Sequence, residues 1–294
     1  MKSLCFTTYV FGWYQDYIPT YIYSILLAFP QHFVKIFVKE KLTENNKRAL
    51  DLVKRHVSDS FEIIEEFDDL DHCKIQHLPS LRFLMTRDYF EGFDYVYFGD
   101  VDFIIYNEND DNFYDHYVEH MKQTGLPFSN EWNYDRGKFR MTGLHFIEKD
   151  SYFDAMDSII EETKNPKGNL FRKECSYDSR TSPSYDEEML YYMTTRIFDL
   201  RPLDGYLRPF HGLHFGTFRS GLYSWFSANQ FSRRTGLKSE MLLKDCLPLW
   251  WRDKEKIDAV MKSELFQKLN KLMCEKAQIT VTKAKNHVFA KLFG

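Results

Sequence analysis

Paired cysteines are missing from this chain. Its five cysteines, Cys5, Cys73, Cys175, Cys246 and Cys274, stand far apart, are odd in number and form no CxxC pair. That excludes a disulfide framework and a zinc site of the usual spacing, and it reads as reduced thiols in a cytoplasmic protein. A basic excess is also lacking, since the formal net charge is −4. A dominant nucleic-acid surface needs the opposite sign, so no nucleic-acid partner is expected. Long apolar runs are absent as well. The longest apolar stretch, Ile18 to Pro30, contains Pro19, Thr20 and Ser24 and is too short to span a bilayer. The N-terminal order of one lysine, then Leu4-Cys5-Phe6, then Thr7-Thr8, has the form of neither a signal peptide nor an anchor. There is no internal repeat and no low-complexity tract.

Aromatic side chains are abundant, at 17% with 19 Tyr and 27 Phe, enough to fill a core and still line a sugar or nucleotide site with ring faces. The chain is large enough to bury such a core. Its pattern alternates. Leu4 to Val10 reads as a buried strand, Tyr17 to Phe29 as an apolar helix with Pro19 near its start, and Phe33 to Val38 as a strand. Thr43 to His56 is amphipathic with Thr43 as its N-cap, Phe61 to Phe67 is a third strand, and Leu78 to Tyr89 is a helix. Tyr95 to Gly99 is a fourth strand. Such alternation predicts an α/β fold with a largely parallel sheet and helices on both faces, and a ligand site beyond the carboxyl ends of the strands. Further on, Phe113 to Lys122 reads as helix and Arg140 to Ile147 as a strand interrupted by Gly143. Ser151 to Thr163 and Tyr185 to Arg196 read as helices, with a mobile polar loop, Asn165 to Ser184, between them.

The richest stretch is Tyr95-Val96-Tyr97-Phe98-Gly99-Asp100-Val101-Asp102-Phe103-Ile104-Ile105. Two carboxylates break an apolar run, and burying them is costly unless something pairs with them. Residues i and i+2 of an extended strand share a side, so Asp100 and Asp102 are expected to reach one cation, Mg²⁺ or Mn²⁺, through hard oxygen ligands. The competing reading is a strand end whose acids face solvent.

With that motif, the chain from residue 4 to 219 resembles nucleotide-sugar-dependent glycosyltransferases of the GT-A fold, whose marker is a DxD motif ending a central strand. The nearest likeness is to the glycogenin and bacterial galactosyltransferase-like (family 8-like) group, with a second to the blood-group-transferase-like family. The resemblance implies a GT-A catalytic domain over 1–224 with a Rossmann-like, mostly parallel mixed sheet, and a helical C-terminal extension over 225–294. It implies Asp100 and Asp102 as ligands of Mn²⁺ or Mg²⁺ against a donor diphosphate. It also implies donor contacts from Thr7, Thr8 and Tyr14, the last stacking on the base with Tyr9 and Trp13 as rivals. Arg82 would meet the diphosphate, and Thr142, beside Gly143, the donor sugar. In His211-Gly212-Leu213-His214-Phe215-Gly216-Thr217-Phe218-Arg219, His214 is the implied third metal ligand, with His211 as alternative, and Arg219 stands where the group has a lysine. In Ser184-Tyr185-Asp186-Glu187-Glu188, Glu187 or Asp186 would serve catalysis or the acceptor. Acids are also favoured in any first helical turn.

The implied function is transfer of a hexose-type sugar from a nucleoside-diphosphate sugar, UDP by preference, to a carbohydrate or lipid-linked glycan acceptor, with retention of configuration. From Lys254 to Gly294 nine lysines face four acidic residues, after Trp250-Trp251. That segment is either a solvated helical cap or a peripheral contact with the inner face of a membrane. Two other functions stay open. One is a metal-dependent phosphohydrolase, although position 104 is Ile where a haloacid-dehalogenase-like motif has Thr. The other is a non-catalytic nucleotide-sugar-binding subunit.

Overall fold

The computed structural model describes residues 3–70, 78–105, 115–135, 138–165 and 185–200, and the backbone of 212–214. The elements, in chain order, are β1 (Leu4–Val10), α1 (Ile18–Ala28), β2 (Phe33–Val38), α2 (Glu44–His56), β3 (Phe61–Ile64), β4 (Tyr95–Phe98) and β5 (Phe103–Ile105). They continue with α3 (Asp115–Thr124), β6 (Phe128–Ser129), β7 (Trp132–Asp135), β8 (Lys138–Met141), β9 (His145–Glu148), α4 (Lys149–Lys164), α5 (Tyr185–Thr195) and β10 (Gly212–His214).

The main sheet has six strands in the order β3-β2-β1-β4-β9-β6. β3, β2, β1 and β4 run parallel, while β9 is antiparallel to both β4 and β6. This is the expected α/β architecture, a mixed, mostly parallel sheet between helices. β1 sits near its centre and is buried at all seven positions, which is why it reads as a continuous apolar run rather than an alternating one. Leu4, Phe6 and Val10 enter the core shared with α1 and α2, whereas Cys5 and Tyr9 enter the core on the other face, shared with α4 and α5. Each large side chain so buried contributes about 1.5–3 kcal/mol.

The helices follow their sequence patterns. α1 is buried from Ile18 to Leu26, an all-round apolar helix packed between the sheet, α2 and β5. α2 buries Asn46, Ala49, Leu50 and Val53, one stripe at helical spacing. Thr43 caps it as expected, accepting from the Asn46 N–H at 3.3 Å.

Three local expectations are corrected. Leu78 to Tyr89 is not an α-helix but two 3₁₀ segments, Leu78–Leu84 and Arg87–Phe90. Ser80 through Leu84 are all buried, packed against β1, α4 and α5, and these tertiary contacts override the local helix preference. Arg140 to Ile147 is two strands in different sheets, β8 pairing with β7 and β9 with β4, with the chain turning at Gly143. The third strand stops at Ile64, and the fourth at Phe98. The segment 166–184, His211, Arg219, the side chain of His214 and all of 225–294, with Trp250 and Trp251, lie outside the described residues. Among the described residues no helix is long and apolar enough to cross a membrane.

Candidate functional site

Asp100 and Asp102 do not lie on an extended strand. β4 ends at Phe98, and the two acids occupy the turn that leads into β5. Alternation along a strand therefore does not orient them. The turn itself does, and it leaves Asp100 part-exposed and Asp102 buried. Gly99 makes the turn possible in tight quarters. A Cβ there would stand 2.8 Å from the Tyr21 hydroxyl and 2.9 Å from the Tyr97 ring. The Gly99 N–H donates to the Thr7 carbonyl at 3.0 Å, so Thr7 lies level with the turn.

Arg82, from the first 3₁₀ segment, is the hub. Its Nη1 lies 2.5 Å from Asp100 Oδ1 and its Nη2 2.8 Å from Asp186 Oδ2. Its side chain is only 6% exposed, so without partners the charge would be untenable. Burial works against the guanidinium, but Asp100 and then Asp186 outweigh it and hold its pKa above the ordinary value. Its plane also covers the Phe83 ring, 4.8 Å from the centroid. Two carboxylates from positions 86 residues apart are thus clamped by one planar fork, a geometry lysine cannot supply. Gly143 closes the cluster. A Cβ there would meet Arg82 Nη2 at 2.5 Å and Asp100 Oδ2 at 3.5 Å.

Glu187, next to Asp186 at the start of α5, pairs with Arg140 of β8 at 3.3 Å. Burial, then the negative charges of Asp186 and Asp100, push its pKa up to about 7, against the opposing pull of Arg140 and Arg82. It can therefore gain or lose a proton near neutrality. Four expected positions, Arg82, Asp100, Asp186 and Glu187, come together from three separate parts of the chain.

Other expected residues are placed differently. Thr7 and Thr8 are fully buried within β1, which runs on to Val10 instead of ending with them. The Thr7 hydroxyl has no hydrogen-bond partner. Beyond β1 the chain turns through an aromatic 3₁₀ segment, Gly12–Tyr17, in which Trp13 and Tyr14 lie 4.5 Å apart and Trp13 is 40% exposed. Tyr9 belongs to the core with Phe67. The Thr142 hydroxyl is taken up within its own turn, 2.7 Å from Asn130 Oδ1 and 3.1 Å from the Leu144 carbonyl.

Sequence reasoning missed two residues here. Arg140 was visible only as part of a strand. Asn130 binds both the N–H and the C=O of Thr142 and approaches His145 Nδ1 at 3.0 Å, so it fixes the turn that carries Gly143. Its one local signal is the change from apolar to polar at Phe128-Ser129-Asn130.

Among the described residues, no three His, Cys, Asp or Glu side chains gather closely enough to hold an ion by themselves. Asp100 and Asp102 are the described residues whose hard oxygen atoms are of the type a divalent cation takes, and His214, the expected third ligand, has its side chain outside the described residues. Arg82 and Arg140 meet three carboxyl groups, Asp100, Asp186 and Glu187, and Asp102 follows Asp100 by two residues in the same turn. The antiparallel pairing of β10 with β5 sets the backbone of His214 opposite Phe103, adjacent in sequence to Asp102.

The cluster lies beyond the carboxyl end of β4, the edge at which parallel α/β sheets commonly hold ligands. No family model matches the chain, and no curated protein does. Solved structures similar to it include the glycosyltransferase GlyE of Streptococcus pneumoniae TIGR4, at 11% identity and a TM-score of 0.42, over 67% of this chain and 44% of that one. Another is the galactosyltransferase LgtC in complex with donor and acceptor sugar analogues, at 14% identity and a TM-score of 0.34, over 63% of this chain and 82% of that one. A third is the bifunctional glycosyltransferase WbbM, at 13% identity and a TM-score of 0.34, over 55% and 33%. Likeness this loose carries no weight for function, and the chain spans less than half the length of GlyE.

Proposed function

We propose that this chain is a metal-dependent glycosyltransferase of the GT-A type, moving a hexose-type sugar from a nucleoside diphosphate, UDP by preference, to a hydroxyl of a glycan or glycolipid acceptor. The observation that carries the reading is the Arg82 fork joining Asp100 to Asp186 across the strand ends, with the Gly143 backbone packed on it. Such a cluster presents both signs of charge to a phosphosugar, cation-binding acids on one side and a guanidinium on the other.

In this reading Asp100, Asp102 and His214, or His211 in its place, hold Mn²⁺ or Mg²⁺. When bound, the ion supplies Lewis-acid stabilisation of the departing diphosphate. Arg82 and Arg219 meet phosphate oxygens, and Trp13 or Tyr14 stacks on the base. Asp186 is held by buried Arg82 and is 10% exposed, so Glu187, paired with Arg140 but 27% exposed, is the carboxyl group offered to the anomeric centre or the acceptor hydroxyl. With a pKa near neutrality it can accept the acceptor's proton. Retention of configuration belongs to this reading, as does a cytoplasmic setting. The phosphohydrolase reading lacks the threonine its motif needs at position 104, which is Ile.

The test is thermal denaturation of the whole chain with UDP-glucose or UDP-galactose, with Mn²⁺ or with chelator. Stabilisation by one donor only with metal, lost in Asp102→Ala, is the expected result. A ligand at a hundredfold its Kd adds about 2.7 kcal/mol, well within reach of the method. Equal stabilisation in chelator would remove the metal from the proposal.

A further inference from the structure

One hydroxyl in the core stands unpaired beside the charged turn. Tyr21, on α1, is fully buried, and its hydroxyl has no hydrogen-bond partner among the described residues. A buried hydroxyl without a partner is destabilising, and phenylalanine would fill the same space without that penalty. Packing alone therefore does not explain a tyrosine here. The backbone makes room for the hydroxyl as well, since a Cβ at Gly99 would stand 2.8 Å from it. Asp100, the next residue, is the charge that acts on it most strongly. Together with burial it pushes the Tyr21 pKa far above the ordinary value, so the group keeps its proton and is available as a donor.

Tyr21 and Arg82 reach the turn from opposite faces of the sheet. Tyr21 belongs to the core shared with α1 and α2, whereas Leu81 and Phe83, on either side of Arg82, belong to the core shared with α4 and α5. Asp100 is bonded to the one and follows the glycine that the other touches. In the free chain both Nη groups of Arg82 are taken, by Asp100 and by Asp186. A diphosphate that meets Arg82 has to share or displace one of these partners. Asp186 is the more deeply buried, at 10% exposure against 27%, so Asp100 is the one free to yield. A carboxylate released at the edge of the core needs another donor, and the unpaired one beside it is the Tyr21 hydroxyl.

We propose that Tyr21 is a positioning residue of the donor site: as a diphosphate takes the Arg82 fork, the Asp100 carboxylate passes from Arg82 to the Tyr21 hydroxyl, which keeps it fixed at the turn. The identity of the diphosphate rests on the glycosyltransferase reading.

The experiment compares Tyr21→Phe with the wild-type chain in two quantities, the melting temperature without ligand and the Kd for UDP with Mn²⁺ by titration calorimetry. Removing a hydroxyl that is unpaired in the free chain should leave the melting temperature equal or higher. UDP binding should weaken about three- to tenfold, the worth of one hydrogen bond. Stability kept while affinity falls is a pattern that a packing defect does not give. Equal UDP affinity in variant and wild type overturns the handover and leaves the donor reading standing. A variant that melts below wild type without ligand also overturns it, because the hydroxyl would then already have its partner in the free chain. A wild-type chain that binds no UDP, with or without Mn²⁺, overturns this proposal and the donor reading together.

Discussion

At the scale of single residues, the site works by placing charges where water cannot reach them freely. Arg82 carries most of this burden, and its two carboxylate partners make its burial tolerable. Glu187 is the residue left under strain. Its pKa is about 7 in the fold against 4.5 ordinarily. Below pH 4.5 both folded and unfolded chains hold the proton, and the group costs nothing. Between 4.5 and about 7 the unfolded chain ionises first, so stability falls as pH rises, and above that the full penalty applies. Glu187→Gln removes the penalty. We expect the variant to match wild type near pH 5 and to exceed it at pH 8 in urea unfolding. The ceiling is about 3 kcal/mol, and a gain near 1 is more realistic because the side chain keeps 27% exposure. A variant less stable than wild type at pH 8 would mean that Arg140 and Arg82 already hold the carboxylate ionised at no cost.

At the scale of elements, legibility depended on whether a segment's partners were local. β1, β2 and α2 follow from their own residues, because an all-apolar strand and a capped amphipathic helix carry their instructions within a few positions. The 78–90 segment misled for the opposite reason. Its helix-like composition yields to contacts with β1, α4 and α5, which are distant in sequence. The break at Gly143 was visible as a glycine, but what stands opposite it, Arg82, is 61 residues away in sequence. The same holds for the site. The acids after β4 and at the head of α5 were identifiable by type and context, whereas the fork that joins them is a tertiary contact. Asn130 was missed for this reason too. It holds the turn between β8 and β9 through the Thr142 N–H and C=O and through His145. Burial pushes the His145 pKa down to about 3, so that imidazole stays neutral and the amide donates to its Nδ1. Asn130→Ala should cost roughly 2–4 kcal/mol, since buried polar groups lose partners they cannot replace. Asn130→Asp keeps the acceptor oxygen for the Thr142 N–H but sets a second buried oxygen against the Thr142 carbonyl and His145 Nδ1, so it should cost at least as much. Urea unfolding of both variants checks the order, and a loss under about 1 kcal/mol for alanine would show that the turn holds without its clamp.

At the scale of the whole molecule, the sheet supplies rigidity and the turns above it supply chemistry. β1 and β4 are flanked by strands on both sides and covered on both faces, so their amides open only with the entire fold. The β7–β8 hairpin pairs with no third strand and is held by its packing on α5, so its amides should be less protected than those of β1 and β4. The charged cluster links these regimes by tying the turn after β4, the Gly143 turn and the head of α5 to a single guanidinium. A ligand engaging any one of the three should therefore slow exchange in all of them. Amide exchange followed by mass spectrometry, with and without UDP and Mn²⁺, gives the direct reading. Protection is expected together at Asp100 to Phe103, Thr142 to Leu144 and Tyr185 to Glu188. In Arg82→Met the three segments lose their common tie, and protection should shrink to the turn after β4 alone. Protection confined to that turn in the wild-type protein would mean that Asp186 and Gly143 stand near Arg82 without sharing its task.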